Sequence, residues 1–208
     1  MKNFDFENKL FVITDSAISK GRTNEEIVKE AIKGGAEVIE LREKNWNVVK
    51  LREEAKKLLK ICRERNVLFI VNEYVDVALE IGADGVHLEQ TSMPVEEARA
   101  ICGDKLIIGL SAHSVEQAID ADQEDVDYIA IGPIYKTKTK DNIVGPEIIK
   151  PVLDQIDKPL IAIGGINKEN IDEVLQQGVK CIAAASAVVA ADDIRKAASE
   201  LASKIKEI

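Results

Sequence analysis

Residues 160–185 read LIAIGGINKENIDEVLQQGVKCIAAA, and the fold turns on this stretch. An apolar run rich in β-branched residues, Leu160 to Gly164, passes through Gly164-Gly165 into a charged segment of helical period, Lys168 to Gln177. Gly178 then ends the helix, and a second apolar run follows at Cys181 to Ala185. A strand, a helix and a strand joined by short connections make a βαβ unit, whose two strands run parallel.

Outward from this unit the same alternation covers the chain. Strands are predicted at Leu10 to Thr14, Glu37 to Leu41, Leu68 to Asn72, Gly85 to Leu88, Leu106 to Leu110 and Tyr128 to Gly132, which with the two above makes about eight. Helices are predicted between them at Asn24 to Lys33, Val48 to Arg65, Val95 to Cys102 and Val115 to Asp122, and a last one at Asp192 to Glu207. In Val48 to Arg65, Leu51, Ala55, Leu58, Leu59 and Cys62 recur at three- and four-residue steps, an apolar stripe against a charged face. Gly34-Gly35 and Gly82 close helices as Gly178 does. No Pro-, Ser- or Gly-rich linker breaks the series. About eight such units in 208 residues predict an α/β fold, a (β/α)8 TIM barrel in a single domain spanning 1–208, rather than a doubly wound sheet.

Composition narrows the function. The net charge of -9 disfavours a general affinity for nucleic acid or an anionic membrane, while leaving room for a local basic cluster that holds small phosphorylated substrates. No apolar run approaches the roughly 18 residues that span a bilayer, and the N-terminus lacks a signal-peptide core, so a cytoplasmic protein is expected. Cys62, Cys102 and Cys181 are widely spaced without any C-x-x-C, which points to buried thiols rather than disulfides or zinc. Oligomeric state is left open, a homo-oligomer included.

In a barrel the chemistry sits at the C-terminal ends of the strands. Gly164-Gly165-Ile166-Asn167 opens a helix after strand seven and could cradle a phosphate on backbone N–H groups, with Ser186 in the loop after strand eight; the plainer reading is a glycine turn capped by Asn167. Thr137-Lys138-Thr139-Lys140 offers hydroxyls and a cation to a phosphate, or is a solvated loop. Arg42 and Lys44 could clamp phosphate oxygens, or pair with Glu43 or Glu40. Glu40 and Glu73 could share Mg2+, or serve Arg42 and Lys44 as partners. His113 lies where a proton-transfer group would work, His87 reads as a satisfied structural histidine, and Trp46 as an apolar cover.

Taken together these residues resemble the thiamin-phosphate synthase and thiazole tautomerase superfamily. The likeness is carried by Leu10-Phe-Val-Ile-Thr-Asp15, Glu40-Leu-Arg-Glu-Lys44, Val71-Asn-Glu-Tyr-Val-Asp76, Ala83-Asp-Gly-Val-His-Leu88, Gly109-Leu-Ser-Ala-His113, Gly132-Pro-Ile-Tyr-Lys-Thr-Lys-Thr-Lys140 and Ala162-Ile-Gly-Gly-Ile-Asn167. The synthase resemblance implies a transferase that joins hydroxymethylpyrimidine diphosphate to hydroxyethylthiazole phosphate and releases pyrophosphate, with Mg2+. By motif position it implies that Arg42, Lys44, Asn72, Ser111 and Lys140 hold the diphosphate, Ser111 and Lys140 being catalytic. Thr137, Thr139, Gly165 and Ser186 would hold the thiazole phosphate.

The sequence departs from the family pattern at Glu40, usually Gln at the pyrimidine position, and at two acidic metal positions, usually Asp, that are here Glu73 and Ser92. Glu89, where the pattern has Gly, stands in the same loop as Ser92 and can supply a second carboxylate. The alternative that the superfamily offers is the tautomerase, a metal-independent isomerase with His113 as acid and base; a phosphate-ester-binding barrel without catalysis is the third. Retention of Arg42, Lys44, Asn72 and Lys140 favours the synthase.

Overall fold

Eight short strands alternate with helices in the computed structural model, which describes residues 5–137 and 143–207. The strands are β1 (Leu10–Ile13), β2 (Val38–Leu41), β3 (Leu68–Asn72), β4 (Gly85–Leu88), β5 (Ile107–Ala112), β6 (Tyr128–Ile131), β7 (Leu160–Ile163) and β8 (Cys181–Ala184). The helices are α1 (Asn24–Lys33), α2 (Val48–Glu64), α3 (Val75–Ile81), α4 (Val95–Cys102), α5 (Val115–Asp122), α6 (Ile149–Leu153), α7 (Ile171–Leu175), α8 (Ser186–Val189) and α9 (Ile194–Lys206). All strand pairs are parallel and follow chain order, and β8 pairs back onto β1 through Leu10 and Ile182 to close the ring. The expected (β/α)8 barrel is the observed one.

Local chemistry explains where elements start and stop. Thr23 and Glu26 cap α1 reciprocally, and Asn47 accepts from Lys50 N at 2.9 Å to begin α2. The predicted stripe of α2, Leu51, Ala55, Leu58, Leu59 and Cys62, is buried. Truncating one such side chain, as in Leu58→Ala, costs roughly 2–5 kcal/mol.

The predicted helix 168–177 is shorter than expected. Asn167 Oδ1 accepts from Glu169 N at 2.9 Å and Asn170 Oδ1 from Asn167 N at 2.8 Å, so these side chains stabilise a turn and the helix starts at Ile171. β5 runs two residues beyond its expected end, which puts Ser111 inside the strand. The short helices α3, α6 and α8 have too few turns to show a period.

Two apolar layers hold the barrel. Outside it, residues such as Val12, Ile39, Leu41 and Ile108 pack under the helices. Inside, Phe11, Val38, Ile70, Ile107, Tyr128, Ile161 and Cys181 fill the lower part, with Phe6 packed against them; its ring centroid is 5.2 Å from that of Tyr128. The three cysteines are buried and unbridged, as expected. Among the described residues no helix is long and apolar enough to cross a membrane.

Candidate active site

Strand alternation decides which side chains reach the barrel mouth. Glu40 on β2, Asn72 on β3, His87 on β4 and Ser111 on β5 are all buried, and Asn72 stands level with His87 in the ladder. Only 4% of Glu40 is exposed. Burial pushes its carboxyl up to about 7; the Arg42 charge opposes the rise, Glu89 adds to it, the Asn72 side chain opposes it and Glu73 adds to it. Glu40 therefore keeps its proton well above the ordinary carboxylate range and, when protonated, can donate as well as accept. Asn72 Nδ2 leans on that carboxyl without completing a well-aligned hydrogen bond, and is otherwise a buried donor without a partner among the described residues.

Beside this pair a chain of hydrogen bonds runs across the barrel. Tyr128 Oη lies 2.9 Å from His87 Nδ1, and His87 Nε2 lies 3.0 Å from Ser111 Oγ. Burial, then the charges of Glu40 and Asp127, raise the Tyr128 phenol well above its ordinary range, so it stays protonated. His87 is thus the satisfied structural histidine that the sequence suggests. Gln90 Nε2 donates to Ser111 O at 2.7 Å, tying the loop after β4 to β5.

The carboxylates form a corner beside this chain. Ser92 Oγ donates to Glu73 Oε1 at 2.7 Å and accepts from Glu89 N at 3.0 Å, so one hydroxyl joins both glutamates. Glu73 has a φ of 65°, a left-handed backbone that a side-chain-bearing residue adopts at a cost of roughly 1–2 kcal/mol, fixed here by Glu73 N donating to His87 O at 2.8 Å. Among the described residues no group of three or more His, Cys, Asp or Glu converges for a metal. Two carboxylates and a hydroxyl are hard oxygen donors, a set that fits Mg2+ when phosphates and waters supply the rest.

Arg42 is half-buried and Lys44 exposed. Glu43, between them in sequence, is not their partner: it turns away and accepts from Ser16 and Asn24. Arg42 N donates to Thr14 Oγ1 at 3.1 Å, anchoring the strand end.

The opposite side of the mouth is built from the loops after β6, β7 and β8. Ile134 N donates to Ile163 O and Tyr135 N to Gly164 O, both at 2.9 Å, so the loop that leads to Thr137 lies against Gly165. Gly164 and Gly165 have φ of 99° and 68°, and a Cβ on Gly165 would come within 2.8 Å of Tyr135 Cβ. Asn167 is not the expected N-cap of the helix; its side chain serves the turn described above. Ser186 is the exposed first residue of α8, where N–H groups lack intrahelical partners. His113 Nδ1 donates to Gly132 O, which leaves the Nε2 lone pair available to accept a proton. Thr139 and Lys140 lie outside the described residues.

Three contributors were not singled out in the sequence: Tyr128, Gln90 and Glu43. The signal for Tyr128 was Gly109, its ladder partner, a strand position without a side chain that leaves room for the ring.

The chain matches the thiamine monophosphate synthase family over residues 10–188. It is 45% identical to the thiamine-phosphate synthase of Pelotomaculum thermopropionicum, over 91% of this chain and 88% of the relative. To that of Pyrococcus furiosus it is 42% identical, over 96% of each. The solved thiamine phosphate pyrophosphorylase from Pyrococcus furiosus superposes with a TM-score of 0.90 at 40% identity, covering 97% of both chains. A KDPGal structure at 16% identity and a TM-score of 0.71 shares the fold alone. With the family match, these relatives and the shared barrel in agreement, the chain belongs to the thiamine monophosphate synthase family.

Proposed function

We propose that the protein joins hydroxymethylpyrimidine diphosphate to hydroxyethylthiazole phosphate in the cytoplasm, forming thiamin phosphate and releasing pyrophosphate. The carrying observation is the division of the mouth into two sides of different chemistry. Arg42, Lys44, the buried Asn72 amide and Ser111 supply cations and neutral donors on one side, with Glu73 and Glu89 at its corner. Gly165, Ser186 and Thr137 supply small residues and hydroxyls on the other.

The diphosphate binds to the first side, with Lys140 joining from outside the described residues. The C–O bond between the pyrimidine methylene and the diphosphate breaks, its electron pair leaving with pyrophosphate, and the thiazole nitrogen donates the pair that forms the new C–N bond. Charge grows on the departing oxygen, and that is where Arg42, Lys44, Lys140 and the Ser111 hydroxyl act. His87 fixes Ser111, and Tyr128 fixes His87. Glu73 and Glu89 would hold Mg2+, with Ser92 orienting Glu73, and the ion would neutralise phosphate charge. Thr137, Thr139, Gly165 and Ser186 bind the thiazole phosphate. Glu40, in its protonated form, donates to the pyrimidine where an amide would.

The test is an assay of purified protein with both substrates, in Mg2+ and in EDTA, detecting thiamin phosphate and pyrophosphate. Product only in Mg2+ is the expected result. Absence of product with thiazole phosphate still bound sinks the coupling and leaves the metal-independent isomerase, with His113 Nε2 as its base, to be assayed instead. Full activity in Lys140→Ala rejects the diphosphate assignment of that residue.

A further inference from the structure

Glu43 is a carboxylate flanked in sequence by two cations, yet only 7% of it is exposed and its oxygens are spent on neutral donors. Oε1 accepts from Ser16 N at 3.1 Å and from Asn24 Nδ2 at 2.9 Å, while Oε2 accepts from Ser16 Oγ at 2.6 Å. Ser16 opens the short turn Ser16–Ile18 after β1, and Asn24 is the buried first residue of α1. The Asn24 amide keeps its nitrogen on Glu43 although its own Oδ1 is then buried with no partner among the described residues. Arg42 N on Thr14 Oγ1 and Thr14 N on Glu40 O extend the same seam, so the chain after β2 is sewn to the chain after β1 on both sides of Arg42.

We propose that Glu43 is a positioning residue for Arg42 and Lys44, fixing their backbone toward the mouth and keeping its own negative charge out of their reach. Arg42 continues the line of β2, where successive residues face opposite sides, so burying Glu43 against Ser16 and Asn24 turns Arg42 the other way, and Trp46 N donating to Glu43 O at 3.4 Å closes the turn that carries Lys44. A carboxylate held by three donors is also withheld from ion pairing, which leaves the two cations for an anionic ligand. This role rests on the reading of Arg42 and Lys44 as diphosphate ligands.

The test compares wild type with Glu43→Ala, Glu43→Gln and Ser16→Ala, measuring the KM of each substrate in the coupling assay and the binding of inorganic pyrophosphate with Mg2+ by calorimetry. Gln keeps the Oε1 acceptor and presents an amide that Ser16 Oγ can accept, so it preserves the seam without the charge. Glu43→Ala is expected to raise the KM for the diphosphate substrate and the pyrophosphate Kd about tenfold, with the KM for thiazole phosphate unchanged. Glu43→Gln is expected to restore both to within about twofold of wild type. Where Glu43→Ala does not fold, Ser16→Ala decides the matter through the same split at smaller size. Equal shifts in both KM values, or a lowered unfolding temperature with pyrophosphate affinity unchanged, overturn the positioning role while leaving the proposed reaction intact. Wild-type protein that makes no product and binds no pyrophosphate overturns the reaction, and this role with it.

Discussion

Gly109 and Tyr128 face each other across the β5–β6 ladder, and a Cβ on Gly109 would fall inside the Tyr128 ring. The missing side chain is what lets a phenol stand in the barrel and reach His87. Gly109→Ala is expected to destabilise the protein by about 3 kcal/mol, the upper end of ordinary overpacking, because a ring wedged between β-strands has no free direction. Chemical denaturation measures it. The same variant should lose activity beyond its loss of folded protein, since displacing Tyr128 frees His87 and with it Ser111; normal turnover per folded molecule would separate the ring from the site.

Glu40 is expected to make stability and turnover sensitive to pH. Its folded value of about 7 exceeds the ordinary 4.5, so the folded state binds more protons than the unfolded between those limits. The sign follows: stability attributable to this group is greatest below about pH 4.5, falls as pH rises and is lost above about 7, a difference on the order of 3 kcal/mol that Glu40→Gln abolishes. Turnover that depends on the protonated form should decline tenfold per pH unit above about 7 in wild type and stay level in Glu40→Gln. A flat wild-type profile from pH 6 to about 8.5 contradicts a donating Glu40.

The left-handed backbone of Glu73 allows its part in the fold to be measured apart from its proposed hold on Mg2+. Glu73→Gly and Glu73→Ala both delete the carboxylate and its bond to Ser92, and each should lower Mg2+-dependent turnover by roughly a hundredfold. They should differ in stability, with Gly ahead of Ala by about 1 kcal/mol, because only Gly is at ease at positive φ. Equal unfolding midpoints would mean that the backbone relaxes around the substitution.

Thiol chemistry should be silent. Burial pushes Cys62 up to about 12 and Cys181 up to about 11, and Cys102 is buried as well. A disulfide reagent is expected to modify none of the three in the native protein at pH 8 and all three after denaturation. Rapid labelling of one in native protein would reveal an opening that reaches the barrel interior or the helix layer.

The fold was legible because the strands of a parallel barrel are covered on both faces and so mostly apolar, and Leu160 to Ile163 and Cys181 to Ala184 announce themselves by composition. Strand ends were legible to within a residue or two. Ser111 was misplaced outside β5 because a polar residue near the end of an apolar run resembles a loop. The site was legible as a set of residue types at strand ends, since the fold itself says where to look. Glu43 was not, because a carboxylate between Arg42 and Lys44 reads as their partner, and only the approach of Ser16 and Asn24 from a different loop gives it other bonds to make. Asn167 misled for a related reason: an asparagine ahead of a helix serves a cap or a turn equally well, and Asn170 tips the choice.

The pairing of β1 with β8 has a consequence in time. β1 is made long before its second neighbour, since Ile182, the partner of Leu10, follows it by about 170 residues. Until then the growing sheet is an open ribbon whose first and latest strands both show unpaired backbone, the condition under which nascent chains pair with one another. The ring therefore closes last, and the step that brings Ser186 beside the rest of the mouth is the same step that removes the final exposed edge.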